Sequence, residues 1–363
     1  MSEAQELEKL RLKIDSLDVQ IHELINQRAQ CAQEVAEVKH KYAKPGEKVV
    51  FYRPEREAQV LRNVMERNTG PLPDKAMATL FREIMSQCLA LEEPMHVAFL
   101  GPEGTFTQQA AVKHFGKGAL CNSQSTIEEV FREVERGSAH YGVVPVENST
   151  EGLVTHTHDS FMNSPLKICG EVTLPIHHNL LVKDVKQPIK RIYSHSQSLG
   201  QCRGWLDKNY PQAELIAVNS NAEAARLATQ EEQSAAIAGE IAAQTYDLHI
   251  LASNIEDRTD NTTRFLIIGR EETQPSGHDK TSILIASRNQ PGALYHLLEP
   301  FHKADISLTR IETRPGRDRT WSYVFFVDFE GHCLDPNIAP LLEELREQAI
   351  DFKWLGSYPK AVL

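Results

Sequence analysis

Basic side chains along one predicted helix point to a binding site for a small anion. Apolar residues from Leu7 to Tyr42 recur at alternating spacings of three and four residues, and the pattern predicts one amphipathic helix over about 5–43. Arg28 fills the one gap in this apolar series, and Lys39 follows about three turns later on the same face. Because a buried cation needs an anionic partner, guanidinium and ammonium groups on this face suit a small dicarboxylate.

A third basic residue, Arg11, is too far from Arg28 to grip the same small ligand from the same helix. The residues between them correspond to about 25 Å along the helix axis. A helix of roughly 58 Å is also too long to be enclosed by a block of about 93 residues, whose compact radius is only about 12 Å. We therefore expect the helix to pair with a second copy, whose Arg11 could reach the Arg28 and Lys39 patch. The alternative is a plain coiled-coil dimer in which Arg28 only sets the register.

The elements that must position these residues fall into three blocks. The first is nearly all helical, with further helices expected over about 54–68 and 74–93. The second alternates short apolar runs with helical patterns, which is typical of an α/β domain. The third follows a ferredoxin-like β-α-β-β-α-β pattern, after a polar stretch over 271–279 that is typical of a linker. The expected domain boundaries are 1–93, 95–271 and 281–360.

Composition excludes several classes of protein. The chain has 363 residues, of which 39 are basic and 50 acidic, so its formal net charge is −11. This balance and the lack of a dense basic face argue against nucleic-acid binding. No apolar run is long enough to span a bilayer, and the acidic N-terminus lacks the features of a signal or transit peptide.

The cysteines and histidines do not form a metal-binding pattern. The six cysteines are scattered without a Cys-x-x-Cys pair, which favours reduced thiols in the cytoplasm over a disulfide framework or a zinc finger. His156 and His158, and likewise the neighbours His177 and His178, lack acidic companions at ligand spacing. We expect no metal and no cofactor. Ser194 precedes a histidine but lacks a third triad member and a nucleophile elbow, so a hydrolase triad is not expected.

Four segments of the α/β block carry polar side chains at the ends of apolar runs. They cover residues 97–107, 144–152, 193–202 and 260–268. Ligands usually bind at this edge of an α/β sheet. Taken singly, each segment is more typical of a polar loop or a helix cap than of a site.

The helical block resembles the all-helical chorismate mutase family. The matching motifs are Leu10-Arg11-Leu12-Lys13-Ile14-Asp15, Arg28, Val38-Lys39 and Glu55-Arg56-Glu57. The resemblance implies that a partner's Arg11 and the chain's own Arg28 hold the two carboxylates of chorismate. It implies that Lys39 donates to the ether oxygen, that Glu57 contacts the ring hydroxyl and that Arg56 supports the site.

Three positions of this block depart from the family pattern. Relatives have Asp where Arg53 stands and Ser where Cys88 stands, which makes these two the weaker candidates for substrate binding. Glu92 falls where relatives carry Gln or Glu, and a carboxyl group donates a hydrogen bond to the ether oxygen only when it is protonated. We therefore expect a mutase activity that declines as the pH rises.

Together, in this order, the four segments of the α/β block resemble prephenate dehydratases. The resemblance implies two α/β subdomains with the site in the cleft between them. It places the family's critical threonine at Thr263, whose neutral hydroxyl can donate a hydrogen bond to the departing ring hydroxyl. Arg264 is a candidate counter-charge for a carboxylate, or alternatively an ion pair that holds the end of a strand. The other implied substrate-binding residues are Glu147, Asn148, Ser149, Ser194, Gln201, Thr262 and Phe265.

The third block resembles the ACT domains of prephenate dehydratases, which bind phenylalanine. The matching motifs are Gly292-Ala293-Leu294, at the start of a predicted helix, and Glu312-Thr313-Arg314-Pro315. A ligand carboxylate near the start of that helix is physically reasonable. Relatives more often have Ser at the position of Thr313, and without the resemblance the block would be interpreted as an inert packing module.

The three resemblances together identify the chain as a member of the bifunctional chorismate mutase/prephenate dehydratase family. The expected ligands are chorismate, prephenate and the effector phenylalanine, and the expected assembly is a homodimer or a higher homo-oligomer. One alternative is a dehydratase with a degenerate helical head, against which the retained Arg11, Arg28, Lys39 and Glu57 argue. Another is a non-enzymatic amino-acid sensor, against which Thr263 argues.

Overall fold

The helical block consists of three helices, as the sequence predicts. The computed structural model describes residues 2–44, 49–287, 290–315 and 323–363. The helices are α1 (Glu3–Tyr42), α2 (Pro54–Glu66) and α3 (Asp74–Glu92). Pro54 is the first residue of α2, where its missing N–H costs no helical hydrogen bond. The helices α2 and α3 pack against each other, and α3 also packs against α1.

Most of α1 has no covering from its own chain. The helix has 40 residues, and Ala36 is its one buried residue. Its apolar stripe faces solvent along the N-terminal half, where Leu10 is 56% exposed, Leu17 47% and Leu24 62%. None of the helices in the described part of the chain is long and apolar enough to cross a bilayer.

The middle block contains two sheets with helices packed on them. Its first part comprises β1 (His96–Leu100), α4 (Phe106–Phe115), β2 (Leu120–Gln124), α5 (Ile127–Arg136), β3 (Tyr141–Asn148), β4 (Gly152–Leu153), α6 (Thr155–Asn163) and β5 (Lys167–Pro175). Its second part comprises β6 (Asn179–Val182), β7 (Arg191–His195), α7 (Ser196–Gln201), α8 (Arg203–Asn209), β8 (Glu214–Val218), α9 (Asn221–Gln230), β9 (Ser234–Ala238), α10 (Glu240–Thr245) and β10 (His249–Ala252).

The chain then returns to the first sheet, and this crossing creates a cleft between two subdomains. The returning strand β11 (Thr262–Gly269) lies between β3 and β5 and is antiparallel to both. The first sheet has the order β2-β1-β3-β11-β5, with β4 added beside β3, and the second has the order β10-β6-β9-β7-β8. The expected two-subdomain α/β fold is confirmed.

The C-terminal block has the expected ferredoxin-like fold. Its elements are β12 (Asp279–Ser287), α11 (Ala293–Lys303), β13 (Leu308–Pro315), β14 (Tyr323–Glu330), α12 (Ile338–Gln348) and β15 (Asp351–Pro359). The antiparallel sheet has the order β13-β14-β12-β15. One face of the sheet is covered by the two helices, and residues of the other face, such as Leu284 and Phe326, share a hydrophobic core with the first subdomain.

The polar stretch before this block is packed, whereas a free linker was expected. Thr273, Ser276 and Asp279 are buried. The hydroxyl and backbone N–H of Ser276 donate to the Asp279 carboxylate at 2.6 and 2.8 Å. Arg62 of α2 donates to the carbonyl oxygens of Ser276 and His278, both at 3.1 Å. The polar groups of the segment are thus hydrogen-bonded to one another. The bonds from Arg62 attach the helical block to this segment and so to the C-terminal block.

Candidate active sites and effector site

The predicted mutase residues of one chain converge on a single cleft. It has a volume of about 410 Å³ and lies between the C-terminal half of α1 and the helices α2 and α3. Phe51 and Tyr52, which the sequence analysis did not select, also line it. The predicted residues in its wall are Arg28, Lys39, Arg53, Arg56, Glu57, Cys88 and Glu92.

Lys39 is held in place by the segment that leads into α2. Its Nζ donates to the carbonyl oxygens of Val50 and Phe51 at 3.2 and 3.3 Å and lies 5.1 Å from the centre of the Phe51 ring. Burial lowers the pKa of Lys39, while the nearby Glu92 carboxylate acts in the opposite direction. The ammonium group is therefore fixed in the wall of the cleft that Glu92 also lines, near enough for the two charges to interact.

Glu92 is a half-buried carboxyl group with an unused oxygen. Its Oε2 is buried and accepts no hydrogen bond from the described residues. Burial raises the pKa of Glu92, and Lys39 and Arg28 only partly oppose the shift. The raised pKa increases the fraction of the protonated form, which can donate a hydrogen bond into the cleft.

The other predicted mutase residues differ in their surroundings. Cys88 is buried, whereas Arg53 and Arg56 are exposed at the rim. Arg53 lies 3.7 Å from Glu55, and Glu57 forms an ion pair with Arg82 of α3, a residue that the sequence analysis did not select.

Arg11 does not lie in the wall of its own chain's cleft. It is exposed on α1, about 25 Å along the helix axis from Arg28. This position agrees with the expectation that Arg11 serves a neighbouring chain.

A second cleft, of about 620 Å³, lies between the two subdomains of the middle block. Residues alternate across a strand, so Thr263 and Phe265 of β11 both line this cleft. Asn148 at the end of β3 and Gln201 at the end of α7 line it as well. Four of the predicted dehydratase residues therefore face one cavity.

Hydrogen bonds fix the direction in which the Thr263 hydroxyl can donate. The Oδ1 of Asn148 accepts from the backbone N–H groups of Thr150 and Glu151 at 2.9 and 3.0 Å, which settles the orientation of the amide. Its Nδ2 donates to Asn261 Oδ1 at 2.9 Å and to Thr263 Oγ1 at 2.8 Å. Because the Thr263 oxygen accepts from Asn148, its own hydrogen is left for a group in the cleft.

The same chain of hydrogen bonds continues to Gln201. Since Asn261 Oδ1 is already an acceptor, its Nδ2 donates to Gln201 Oε1 at 3.2 Å. His178 lies 2.8 Å from the same oxygen through its Nε2, which must therefore carry the hydrogen. Burial lowers the pKa of His178 and so keeps it neutral. The amide nitrogen of Gln201 is left to donate to a ligand. The histidine was interpreted as structural from the sequence, and Asn261 was not selected.

Arg264 is not placed in the cleft, which corrects its interpretation as a substrate counter-charge. It points to the opposite face of β11 from Thr263, as strand alternation requires. Its guanidinium contacts Glu171 at 2.9 Å, Asp328 of β14 at 2.6 Å and the Tyr358 hydroxyl at 2.9 Å. The alternative of an ion pair is correct, and it joins the middle and C-terminal blocks.

Glu147 also faces the C-terminal block and does not line the cleft. Its carboxylate forms an ion pair with Arg310 of β13. Arg310 contacts Glu312 as well, at 3.0 Å. Glu147 is nevertheless the immediate neighbour of Asn148, which holds Thr263.

Three further predicted residues support the cleft from outside it. Ser194 is fully buried, and its hydroxyl lies 2.8 Å from the carbonyl oxygen of Ile237 and 2.9 Å from Oδ1 of Asn221, so that its single hydrogen is donated to one of these two acceptors. The Ser149 hydroxyl accepts from the backbone N–H of Thr262 at 2.9 Å, which ties the ends of β3 and β11 together. These residues contribute to the shape of the cleft and are not placed to contact a substrate.

The predicted effector residues lie on the C-terminal block. Gly292 precedes α11 with a φ of 81°, a conformation that glycine adopts without strain. Ala293 and Leu294 begin α11, and Leu294 is exposed. The second motif lies on β13, where Thr313 and Pro315 are exposed.

Alternate residues of β13 face the middle block. Arg310, Glu312 and Arg314 share this face, and Arg314 contacts Asp159 of α6 at 2.9 Å. The strand that carries the second predicted effector motif therefore forms an ion pair directly with the middle block.

Comparisons with known proteins agree with the geometry of the three blocks. Family profiles match for chorismate mutase type II over residues 10–93, for prephenate dehydratase over 97–273 and for the ACT domain over 281–347. The bifunctional chorismate mutase/prephenate dehydratase of Pseudomonas aeruginosa is 58% identical over 365 residues, with full coverage of both chains.

Two solved structures show the same likeness. The prephenate dehydratase of Arthrobacter aurescens in complex with L-Phe is 32% identical with a TM-score of 0.67, and the alignment covers 73% of this chain and 90% of that one. The quorum-quenching acylase GqqA is 29% identical with a TM-score of 0.68, covering 74% of this chain and 98% of that one.

Proposed function

The chain belongs to the bifunctional chorismate mutase/prephenate dehydratase family, and on that premise we propose how its clefts carry out the two reactions. It is an enzyme of phenylalanine biosynthesis that rearranges chorismate to prephenate and then converts prephenate to phenylpyruvate, with feedback inhibition by phenylalanine through the ACT domain. We assign the mutase to 1–93, the dehydratase to 95–271 and the regulatory domain to 281–360. The convergence of the predicted residues on two separate clefts carries this proposal.

The mutase cleft acts by positioning and by electrostatic stabilisation. The rearrangement is pericyclic and needs no nucleophile, so the site must hold the compact conformer and stabilise charge on the breaking ether bond. Arg28 binds a carboxylate of chorismate. Lys39 and protonated Glu92, which line the same cleft, donate to the ether oxygen. Glu57 accepts a hydrogen bond from the ring hydroxyl, and Arg56 supports the site from the rim.

The second carboxylate is bound by Arg11 from a second copy of the chain. Two observations support a homodimer built on α1. The apolar stripe of α1 is exposed over several turns, and burying it against another helix is favourable. Arg11 also lies too far from its own Arg28 to complete the same pocket. Arg53 and Cys88 line the cleft in positions where they can adjust the fit of the substrate.

The dehydratase cleft assists the departure of hydroxide. As the carbon–carbon bond to the ring carboxylate breaks, carbon dioxide leaves and the electron pair of that bond aromatises the ring. The carbon–oxygen bond to the ring hydroxyl breaks at the same time, and its electron pair leaves with hydroxide. Thr263 donates a hydrogen bond to that leaving oxygen, because Asn148 already occupies the acceptor side of its hydroxyl. Gln201 donates to another polar group of prephenate, and Phe265 contributes an apolar surface to the cleft.

The surroundings of Ser194 do not support an acylase activity like that named for GqqA. Such a reaction needs an activated nucleophile, and the sequence analysis considered Ser194, one of the two serines that flank His195. Ser194 is fully buried and donates its hydroxyl hydrogen to backbone or amide oxygen, so it is not activated by His195.

Phenylalanine binds at the ACT domain and affects the dehydratase cleft through the contacts of β13. Inhibition requires two states that differ in their affinity for the effector. Arg310 is shared between Glu312 of the effector motif and Glu147, the residue next to Asn148. A shift of Arg310 between Glu147 and Glu312 therefore reaches Asn148 through the adjoining backbone, and Asn148 holds Thr263.

We also propose a cytoplasmic location. All six cysteines are free thiols in the structure, as is usual in a reducing compartment.

Replacing Glu92 with Gln should flatten the pH profile of the mutase. The carboxyl donates only when protonated, so wild-type kcat/KM should fall as the pH rises through its raised pKa. The amide of the Glu92→Gln variant donates at every pH. Initial rates of chorismate consumption across the acid-to-alkaline range test this. Glu93→Gln, at a neighbouring carboxylate outside the cleft, should keep the wild-type profile. Identical profiles for Glu92→Gln and the wild type would exclude Glu92 as the donor.

Replacing Thr263 with Val should lower dehydratase kcat by about 10²- to 10³-fold, the usual effect of removing one donor to a developing oxyanion. The mutase rate of the same preparation should not change, because the two clefts are separate. Thr263→Ser keeps the hydroxyl and should retain most of the turnover. Formation of phenylpyruvate from prephenate is the measurement, and a Val variant within a few-fold of the wild type contradicts the assigned role.

Replacing Arg310 with Gln should weaken the inhibition of the dehydratase by phenylalanine by about tenfold, within the usual range of allosteric coupling. Binding of phenylalanine itself, measured by calorimetry, should persist. Arg346→Gln makes the same change of charge at an exposed site of the same domain and should leave inhibition intact. If Arg310→Gln is inhibited as strongly as the wild type, the ion pair with Glu147 does not carry the signal.

A further inference from the structure

Arg82 of α3 contacts Glu57 from the side that faces away from the mutase cleft. Glu57 lines both this cleft and a separate cavity at the junction of the three domains, which we call the junction cavity. Arg82 lines the junction cavity but not the mutase cleft. The Nε of Arg82 lies 3.2 Å from Oε1 of Glu57, and both side chains are largely buried. The guanidinium is therefore placed behind the carboxylate, which leaves the opposite side of Glu57 open to a ligand.

The dehydratase domain holds Arg82 in this position. The Nη1 of Arg82 donates to the carbonyl oxygen of Lys113 at 3.0 Å. Lys113 lies in the last turn of α4, where carbonyl groups lack helical partners and carry the negative end of the helix dipole. A second contact lies beside it, 3.1 Å between the Tyr52 hydroxyl and Nε2 of His114. The other end of α4, at Phe106, lines the dehydratase cleft.

We propose that Arg82 is a positioning residue of the mutase reaction, which keeps Glu57 ionised and directed at the ring hydroxyl of chorismate. Because α4 holds Arg82, the dehydratase domain supplies part of the support of the mutase site. This inference rests on the proposed contact between Glu57 and the ring hydroxyl. It differs from a merely structural role for Arg82, in which the residue only fastens two domains.

The electrostatics of Glu57 agree with this role. Burial raises the pKa of Glu57, and the charge of Arg82 opposes the rise. Loss of Arg82 would raise this pKa further, so that Glu57 would be protonated and lose its acceptor function at a higher pH. The neighbours on the dehydratase side do not supply a competing change. Burial lowers the pKa of His114 to about 3 and raises the pKa of Tyr52 well above its ordinary value, so both stay neutral.

The remaining charged groups around Glu57 have partners or lie across the cleft. In the junction cavity, Glu171 is paired with Arg264 and Lys280, and Lys360 is paired with Glu330. On the cleft side, the charged groups of the wall are Arg28, Lys39, Arg53, Arg56 and Glu92. Among these cleft-side groups, Glu92 must be protonated to act, whereas Glu57 must be ionised. The two carboxyl groups therefore govern opposite limbs of the pH profile.

The contact between Arg82 and Glu57 depends more on the charge of the guanidinium than on an aligned hydrogen bond. The Nε of Arg82 makes no aligned hydrogen bond in the described part of the chain, although it lies at ion-pair distance from Glu57. An ammonium group at the same place can therefore substitute in part for the guanidinium. A neutral amide cannot, because it does not stabilise the ionised carboxylate.

The test compares four variants of the full-length chain. Arg82→Gln removes the charge, Arg82→Lys keeps it, and Glu57→Gln removes the carboxylate itself. Arg62→Gln is the matched control, since Arg62 of α2 also makes hydrogen bonds across a domain boundary but does not contact Glu57. Mutase kcat and KM are measured across the pH range for each variant. The dehydratase rate of the same samples reports whether the fold is intact.

We expect Arg82→Gln to lower mutase kcat/KM by about tenfold or more on the acid side, because removing one partner of a buried ion pair leaves the carboxylate uncompensated and favours its protonation. The loss should lie mainly in KM, and the acid limb should move to higher pH. Arg82→Lys should recover part of the activity, and Arg62→Gln should match the wild type.

Two results would overturn this inference and leave the proposed function standing. One is a wild-type mutase profile for Arg82→Gln while Glu57→Gln is impaired. The other is an equal loss in Arg82→Gln and Arg62→Gln, which would make Arg82 only a fastening between domains. If Glu57→Gln itself retains full mutase activity, the proposed contact with the ring hydroxyl fails and this inference fails with it.

Discussion

A long amphipathic helix that its own chain does not cover is the constraint on which the N-terminal site depends. The helix α1 exposes leucines along its N-terminal half, and only its C-terminal half packs against α3. Burial of such a stripe is favourable by about 25 cal/mol for each Å² removed from water, so a second helix is the natural cover. The same geometry explains why Arg11 and Arg28 lie on one helix but cannot share one pocket within a chain.

The strand β11 plays a comparable part in the rest of the molecule. Its place inside the first sheet, between β3 and β5, puts Thr263 and Phe265 into the cleft between the subdomains and Arg264 into the contact with the ACT domain. The proposed catalytic residue Thr263 and the residue that contacts the ACT domain, Arg264, are thus neighbours in sequence that point to opposite faces of the strand. The ion pair between Glu147 and Arg310 repeats this arrangement on β3, because Asn148 lies next to Glu147 and holds Thr263.

Much of this architecture could be predicted from the sequence. Helical periodicity located α1 to α3, and the residues that the family resemblance selected for the mutase lie together in one cleft, apart from Arg11. The predictions that were wrong concern residues whose partners lie far away in the chain. Arg264 was a candidate for substrate binding, but its partner Asp328 lies in another domain, and no local pattern reveals that pair. The polar stretch before β12 was expected to be a linker because Ser276 and Asp279 are polar. In the structure these two residues are buried and form hydrogen bonds with each other. Arg82 belongs to no motif, and its role depends on a carbonyl group of α4.

The central claim is that each mutase site is shared between two chains, and it can be tested by mixing two inactive variants. Arg11→Ala and Arg28→Ala are co-expressed with different affinity tags, and chorismate mutase activity is measured on the doubly tagged dimer. If the sites are shared, one of the two sites in the doubly tagged dimer is free of both substitutions, and this dimer should show about half of the wild-type activity. If the mixed dimer is no more active than its two parents, each site is built from a single chain and the account is contradicted.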